Sequence, residues 1–207
     1  MHPNPAFRGE PSERSLDFAR ARGFGTLVVA AEPWPLLSHV SFLLDAKGAT
    51  ADLHLVRSNP IARLPDGPAV IAVTGPDGYV SPDWYGTADQ VPTWNYVAVH
   101  LRGHLERLPD AAMRDMLDRQ SADFERRLAP KPEWRTDKMT PEVLHRMMRQ
   151  IVPFRLRVEE VRGTWKLSQN KADAVRLAAA DGLEAAGLRA DAGTLAALMR
   201  GGRLTGA

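Results

Sequence analysis

No cysteine occurs anywhere in the 207 residues, which excludes disulfides, thiolate nucleophiles and cysteine-ligated zinc or iron–sulfur clusters. Long apolar runs are missing too: no stretch approaches the roughly 18 residues of a membrane span. The opening MHPNPAFRGEPSERS is polar and proline-rich, with no apolar leader core. The expectation is a soluble, cytoplasmic protein with no membrane partner. An excess of one charge is also absent, since 27 Lys and Arg face 25 Asp and Glu. That balance supplies no electrostatic footprint for nucleic acid. Signature motifs are scarce as well. No GxGxxG follows a strand, and GxSxG, HExxH and Walker sequences do not occur, so a Rossmann domain, a hydrolase triad and nucleotide hydrolysis lack support.

What is there is a run of short β-rich segments followed by helical ones. A chain of this length buries roughly 70% of its unfolded surface as one domain, or as one domain with an appendage. Pro11 to Arg22 predicts a helix capped by Ser12 and stopped by Gly23. Strands are predicted over Phe24 to Ala30, His39 to Leu44, Ala51 to Val56 and Ala69 to Thr74. Between the last two, Asn59 or Ser58 is placed to cap a short helix begun by Pro60, beside the Arg57 guanidinium. Two readings stay open there: an anion site with a preference for phosphate, or an ordinary capped turn with a solvated arginine.

The most unusual chemistry lies in Gly75 to Gly103, which holds all three tyrosines together with Trp84 and Trp94. Gly75 to Gly78 and Ser81-Pro82 read as turns, and Pro92 precedes Thr93-Trp94-Asn95-Tyr96 and an alternating strand. In that strand Tyr96, Ala98 and His100 share one face, and Val97, Val99 and Leu101 the other. Aromatic rings beside hydroxyls and amides suit a flat heteroaromatic ligand; they equally suit a cap that closes one end of a barrel. Pro109 to Leu128 predicts a helix capped by Asp110, and a second helix is expected from Thr140 and Pro141, with Ile151 in its buried stripe. Phe154, Leu156 and Val158 mark a further strand. The tail 171–207 is Ala- and Leu-rich, helical in composition and broken at Gly182, Gly187 and Gly193. Six or seven strands, mostly consecutive, with helices inserted late, predict an antiparallel barrel with peripheral helices.

Four blocks carry a family resemblance: His54 to Pro60 (HLVRSNP), Gly75 to Tyr85 (GPDGYVSPDWY), Val91 to Gly103 (VPTWNYVAVHLRG) and Trp165 to Asn170 (WKLSQN), behind a Met-x-Pro opening. In order and spacing they resemble the PaiB family, the FMN-binding negative transcriptional regulators. The chain departs from the family pattern at Asp77-Gly78, and it reads SHVSF where the family shows Thr-His-Leu-Pro-Phe, keeping His39 and Phe42.

The resemblance implies a mainly β fold with peripheral α-helices, namely an FMN-binding split β-barrel of the pyridoxamine phosphate oxidase type over 1–170, with 171–207 as a helical tail. It implies a homodimer with FMN in grooves at the subunit interface. It places cofactor contacts at His39, His54, Arg57, Ser58 and Asn59, at Ser81, Trp84 and Tyr85, at Thr93, Trp94 and Asn95, and at Lys166, Ser168, Gln169 and Asn170. Arg57 becomes the phosphate anchor. The function implied is regulatory, with a flavin-dependent oxidoreductase on the same barrel as the alternative. Direct DNA contact has no motif behind it, because the helical arginines from Arg114 to Arg149 alternate with acidic neighbours.

Overall fold

The computed structural model describes residues 2–203. Met1 of the Met-x-Pro opening and residues 204–207 of the expected tail lie outside them. In chain order the elements are α1 (Ser12–Arg22), β1 (Phe24–Val29), β2 (Leu36–Leu44), β3 (Thr50–Val56), β4 (Gly67–Val80), β5 (Thr93–Arg107), α2 (Met113–Arg126), α3 (Pro141–Met148), β6 (Ile151–Lys166), α4 (Asp173–Ala186) and α5 (Ala192–Met199). The strands close into a barrel in the order β1-β2-β3-β6-β5-β4. The fold is the mainly β barrel with peripheral helices that the sequence implies.

The chain divides into two compact units, and β4, β5 and β6 run through both. One unit comprises Ala19–Val73 and His100–Val161. In it β1 pairs antiparallel with β2 and β4, and β3 with β2 and β6. Alternation sends Leu27, Val40, Phe42, Leu53, Leu55, Ile71, Phe154 and Leu156 into its core. Helix α2 covers another part of this unit: Gln120 Nε2 donates to the Asp52 carbonyl at 2.8 Å, and Arg127 donates to the carbonyls of Ala21 and Arg20 at 2.6 and 3.1 Å. Asp52 therefore sits buried on the face of β3 opposite Leu53, paired with Arg155 and Arg119.

The other unit contains 2–18, 74–99 and 162–203 of the described residues. Its centre is Trp165, which is buried, donates from Nε1 to Ser15 Oγ at 3.1 Å, meets Phe18 edge-on at 5.8 Å and lies under the Arg14 guanidinium at 4.3 Å. Helices α4 and α5 pack here, their Leu183 and Leu195 against Gly78.

Four local expectations are corrected. Gly75 to Gly78 is no turn: β4 runs straight through it, because these glycines make room for Phe18 and Val97 and for Leu183 and Leu195. Gly182 lies unbroken inside α4 with Trp84 against its bare Cα, and Gly193 lies inside α5; only Gly187, in the left-handed region at φ +56°, ends a helix. Asp110 caps no helix, since its carboxylate takes Arg57 and Arg107 instead. Ile151 begins β6 and does not extend α3.

Candidate functional site

The residues singled out in the sequence fall into two sets, one in each unit. The first lies on β2, β3 and the turn after β3. His39 is exposed on β2, its Nδ1 is 3.1 Å from Thr26 Oγ1 on the neighbouring strand, and Phe24 stacks on its ring at 6.4 Å. His54 is half-buried on β3, and its Nδ1 has no partner among the described residues. Burial pushes its imidazole below the ordinary range, against a hydrogen bond with Gln120 that acts the other way.

Arg57 is held by three acceptors. Its Nε donates to the Arg149 carbonyl at 2.9 Å, and its Nη2 to Asp110 Oδ2 at 3.1 Å and the Ile151 carbonyl at 3.3 Å. Burial alone would raise the Asp110 carboxyl, but Arg57 and Arg107 together hold it below the usual range. Arg57 is thereby held in one orientation, with no hydrogen bond from Nη1 among the described residues. Ser58 beside it is exposed. Asn59 does cap the short 3-10 helix Pro60–Arg63, its Oδ1 accepting from Ile61 N at 3.0 Å and its Nδ2 donating to Ser38 Oγ at 3.0 Å. Both ends of that amide are used in structure.

The second set joins sequence blocks about 70 residues apart. Lys166 Nζ donates to Thr93 Oγ1, and Asn95 Nδ2 donates to Ser168 Oγ at 2.9 Å. Asn95 is fully buried, reaches Met199 Sδ of α5 at 3.4 Å, and keeps an Oδ1 with no partner among the described residues. Ser168 is a non-glycine residue in the left-handed region at φ +61°. Such a residue is held there by its surroundings, here by the Asn95 bond and by the Lys171 N–H, which donates to the Ser168 carbonyl at 3.0 Å. Gln169 closes the turn: Oε1 accepts from Leu167 N at 2.8 Å, and Nε2 donates to the carbonyls of Ala6 and Trp165. Asn170 is exposed.

The aromatic members separate by role. Tyr85 is buried and Trp84 is half-buried against Gly182 of α4, both in the 3-10 helix Pro82–Tyr85 that Ser81 caps through Asp83 N at 3.3 Å. Trp94, by contrast, is 48% exposed, with Tyr79 edge-on at 6.4 Å and the Arg189 guanidinium 5.6 Å from its ring. Arg189 is paired in turn with Asp77. Phe7, Lys171, Arg189 and Met199 belong to this neighbourhood although the sequence blocks did not include them, and Tyr79, inside the Gly75 to Tyr85 block, joins them without having been named as a contact. Their link is tertiary contact alone, and no local spacing signals it.

Comparison with known proteins follows this geometry. The model of the family described as "Putative FMN-binding domain" matches residues 1–160. Protease synthase and sporulation protein PAI 2 of Bacillus subtilis (strain 168) is 28% identical over 169 residues, 80% of each chain. An uncharacterised Aspergillus fumigatus protein is 26% identical over 218 residues, covering 80% of this chain and 83% of its own. Among solved structures, a FAD and haem binding protein from Mycobacterium smegmatis aligns with TM-score 0.55 and 18% identity, over 77% of this chain and 73% of that one. The flavocytochrome Anf3 from Azotobacter vinelandii aligns with TM-score 0.58 and 13% identity, over 80% and 72%. At that identity the two structures speak to the fold alone.

Proposed function

This chain belongs to the FMN-binding PaiB family, and we propose that it works as a homodimeric flavoprotein regulator, with groups from both subunits around each FMN. The observation that carries the reading is the convergence of Thr93 and Asn95 with Lys166 and Ser168, which joins two of the recognised sequence blocks in one place. The residues fit the cofactor. In one unit a half-buried ammonium and an exposed Trp94 face suit a ring with polar edges, and in the other a fixed guanidinium suits a phosphate. Bound FMN supplies a two-electron redox centre.

In this reading Arg57 anchors the phosphate, held in place by Asp110 and the carbonyls of Arg149 and Ile151. Asn95 is too deeply buried to touch a ligand from solvent; it shapes the Ser168 turn that presents Lys166, Gln169 and Asn170. Regulation runs through a protein partner rather than through DNA, because the arginines of α2 are already neutralised by their own helix: Arg114 by Asp118, Arg119 by Asp115, and Arg126 and Arg127 by Asp123. A helix so paired presents no free cationic stripe to phosphates.

The test is titration of purified protein with FMN and with riboflavin, followed by flavin fluorescence and by light scattering. One FMN per subunit, weaker binding of riboflavin and a dimer that persists in the complex are expected. A chain that leaves both flavins free in solution would falsify the cofactor reading. A monomer that binds FMN at full affinity would remove the shared site.

A further inference from the structure

Of the half-buried arginines, Arg14, Arg102, Arg127, Arg155 and Arg176 each meet a carboxylate, those of Glu10, Glu160, Asp123, Asp52 and Asp173, and Arg20 donates to the carbonyls of Asp45 and Ala46. Lys166 and Lys171 are half-buried too, yet among the described residues neither meets a carboxylate. Lys171 Nζ donates to Gln90 Oε1 and lies 5.1 Å from the Tyr85 ring centroid. Lys166 Nζ donates to Thr93 Oγ1 and lies 5.8 Å from the Phe7 ring. A hydroxyl and a ring face soften the loss of water but neutralise no charge. Burial accordingly pushes the Lys166 ammonium below the ordinary lysine range.

Lys166 is also rigidly placed. The residue before it, Trp165, is buried and tied to Ser15, and Ser168 two residues on is tied to Asn95. A cation so fixed, without a counter-charge among the described residues, is arranged for negative charge that arrives with a ligand.

We propose that Lys166 tunes the redox balance of the bound cofactor, its ammonium facing the flavin ring and favouring the reduced state. This rests on the FMN reading above. Two electrons from a chemical donor such as dithionite, with one proton from solvent, leave the ring one negative charge richer than before. An ammonium beside the ring stabilises that charge and gains little from the neutral oxidised ring. Thr93 is the positioning residue that holds the ammonium in place.

The experiment compares wild-type protein with Lys166→Met and Lys166→Arg, each loaded with FMN or riboflavin. Affinity for the oxidised flavin is read by fluorescence titration, and the midpoint potential by dithionite titration against a reference dye. Lys166→Met is expected to weaken binding of reduced flavin about tenfold more than oxidised flavin, the effect of one charge-assisted hydrogen bond. On the two-electron scale that lowers the potential by about 30 mV. The shift should be the same with riboflavin and largely restored in Lys166→Arg.

An unchanged potential in a Lys166→Met protein that still binds FMN overturns the proposal. So does a loss confined to FMN with riboflavin unaffected, which would assign Lys166 to the phosphate. Wild-type protein that binds neither flavin defeats the cofactor reading itself, and this inference with it. If Lys166→Met does not fold, Thr93→Ala keeps the charge but releases the ammonium. It is expected to lower the potential by a smaller amount, and no change there also overturns the assignment.

Discussion

Arg155 meets Asp52 with a forked pair of bonds, Nε to Oδ1 at 2.6 Å and Nη2 to Oδ2 at 3.0 Å, and Arg119 of α2 reaches the same Oδ2 at 2.8 Å. A buried carboxylate on β3 thus takes two charge-assisted bonds from β6 and one that fastens α2 to the strands. Burial by itself would raise the Asp52 carboxyl, but the two guanidinia together hold it below the usual range. A folded value below the unfolded one, about 3.9, means that this stabilisation is fully present above the unfolded value and is lost as pH falls through the folded one.

Urea unfolding measured from about pH 6 down to about pH 2 is therefore expected to show an acid loss of stability that Asp52→Asn largely lacks. At neutral pH the same variant should be less stable by about 2–3 kcal/mol. That is below the cost of breaking a fully buried pair, because Arg119 and Arg155 keep part of their surface in water.

Gln169→Ala is expected to act on the fold before it acts on any ligand. The side chain satisfies the Leu167 N–H and the carbonyls of Ala6 and Trp165, so its removal strands backbone groups at a cost of about 1–3 kcal/mol. Thermal unfolding of the flavin-free protein checks this. An unchanged midpoint would mean that water replaces the amide without loss.

At position 182, alanine should reverse its ordinary helix preference. In an open helix Gly→Ala gains about 1 kcal/mol, but a Cβ at Gly182 would overlap the Trp84 ring. Gly182→Ala is expected to destabilise by about 1–3 kcal/mol and to change Trp84 fluorescence. In a Trp84→Ala background the same substitution should become neutral or stabilising. Four-way comparison of denaturant midpoints measures the coupling.

Arg57→Ala separates anchoring from bracing. It removes bonds to Arg149, Asp110 and Ile151, for a stability loss of about 1 kcal/mol at this partly exposed position. FMN affinity should fall while riboflavin affinity stays close to wild type. An equal fall for both flavins would make Arg57 a brace alone.

Much of the barrel was legible because alternation survives in single strands. The faces read for Tyr96 to Leu101 are those observed, with Val97, Val99 and Leu101 buried, and Asn59 caps the helix that Pro60 begins. Glycine was where reading failed. Gly75, Gly78 and Gly182 look like turns or breaks, yet each is small so that a side chain from elsewhere can lie on it. A lone sequence carries no mark that separates a glycine chosen for its backbone freedom from one chosen for its lack of volume. Asp110 failed for a related reason: Arg107, three residues before it, offers a local pair that competes with a cap, and its second partner Arg57 is 53 residues away. In the candidate site, the blocks containing Thr93 and Lys166 were visible separately. Their junction, and the parts played by Phe7, Lys171 and Met199, exist only once the chain has folded.

Gly103 on β5 is where one further constraint concentrates. A Cβ there would overlap the Arg157 carbonyl oxygen of β6, and it would lie 3.1 Å from the Val158 Cα. The obstacle is main chain, which has no rotamer to yield. Residue 103 therefore acts as a gauge on the girth of the barrel at that level: any side chain would have to spread the β5–β6 seam, and a closed ring passes such a spread on to every strand around it.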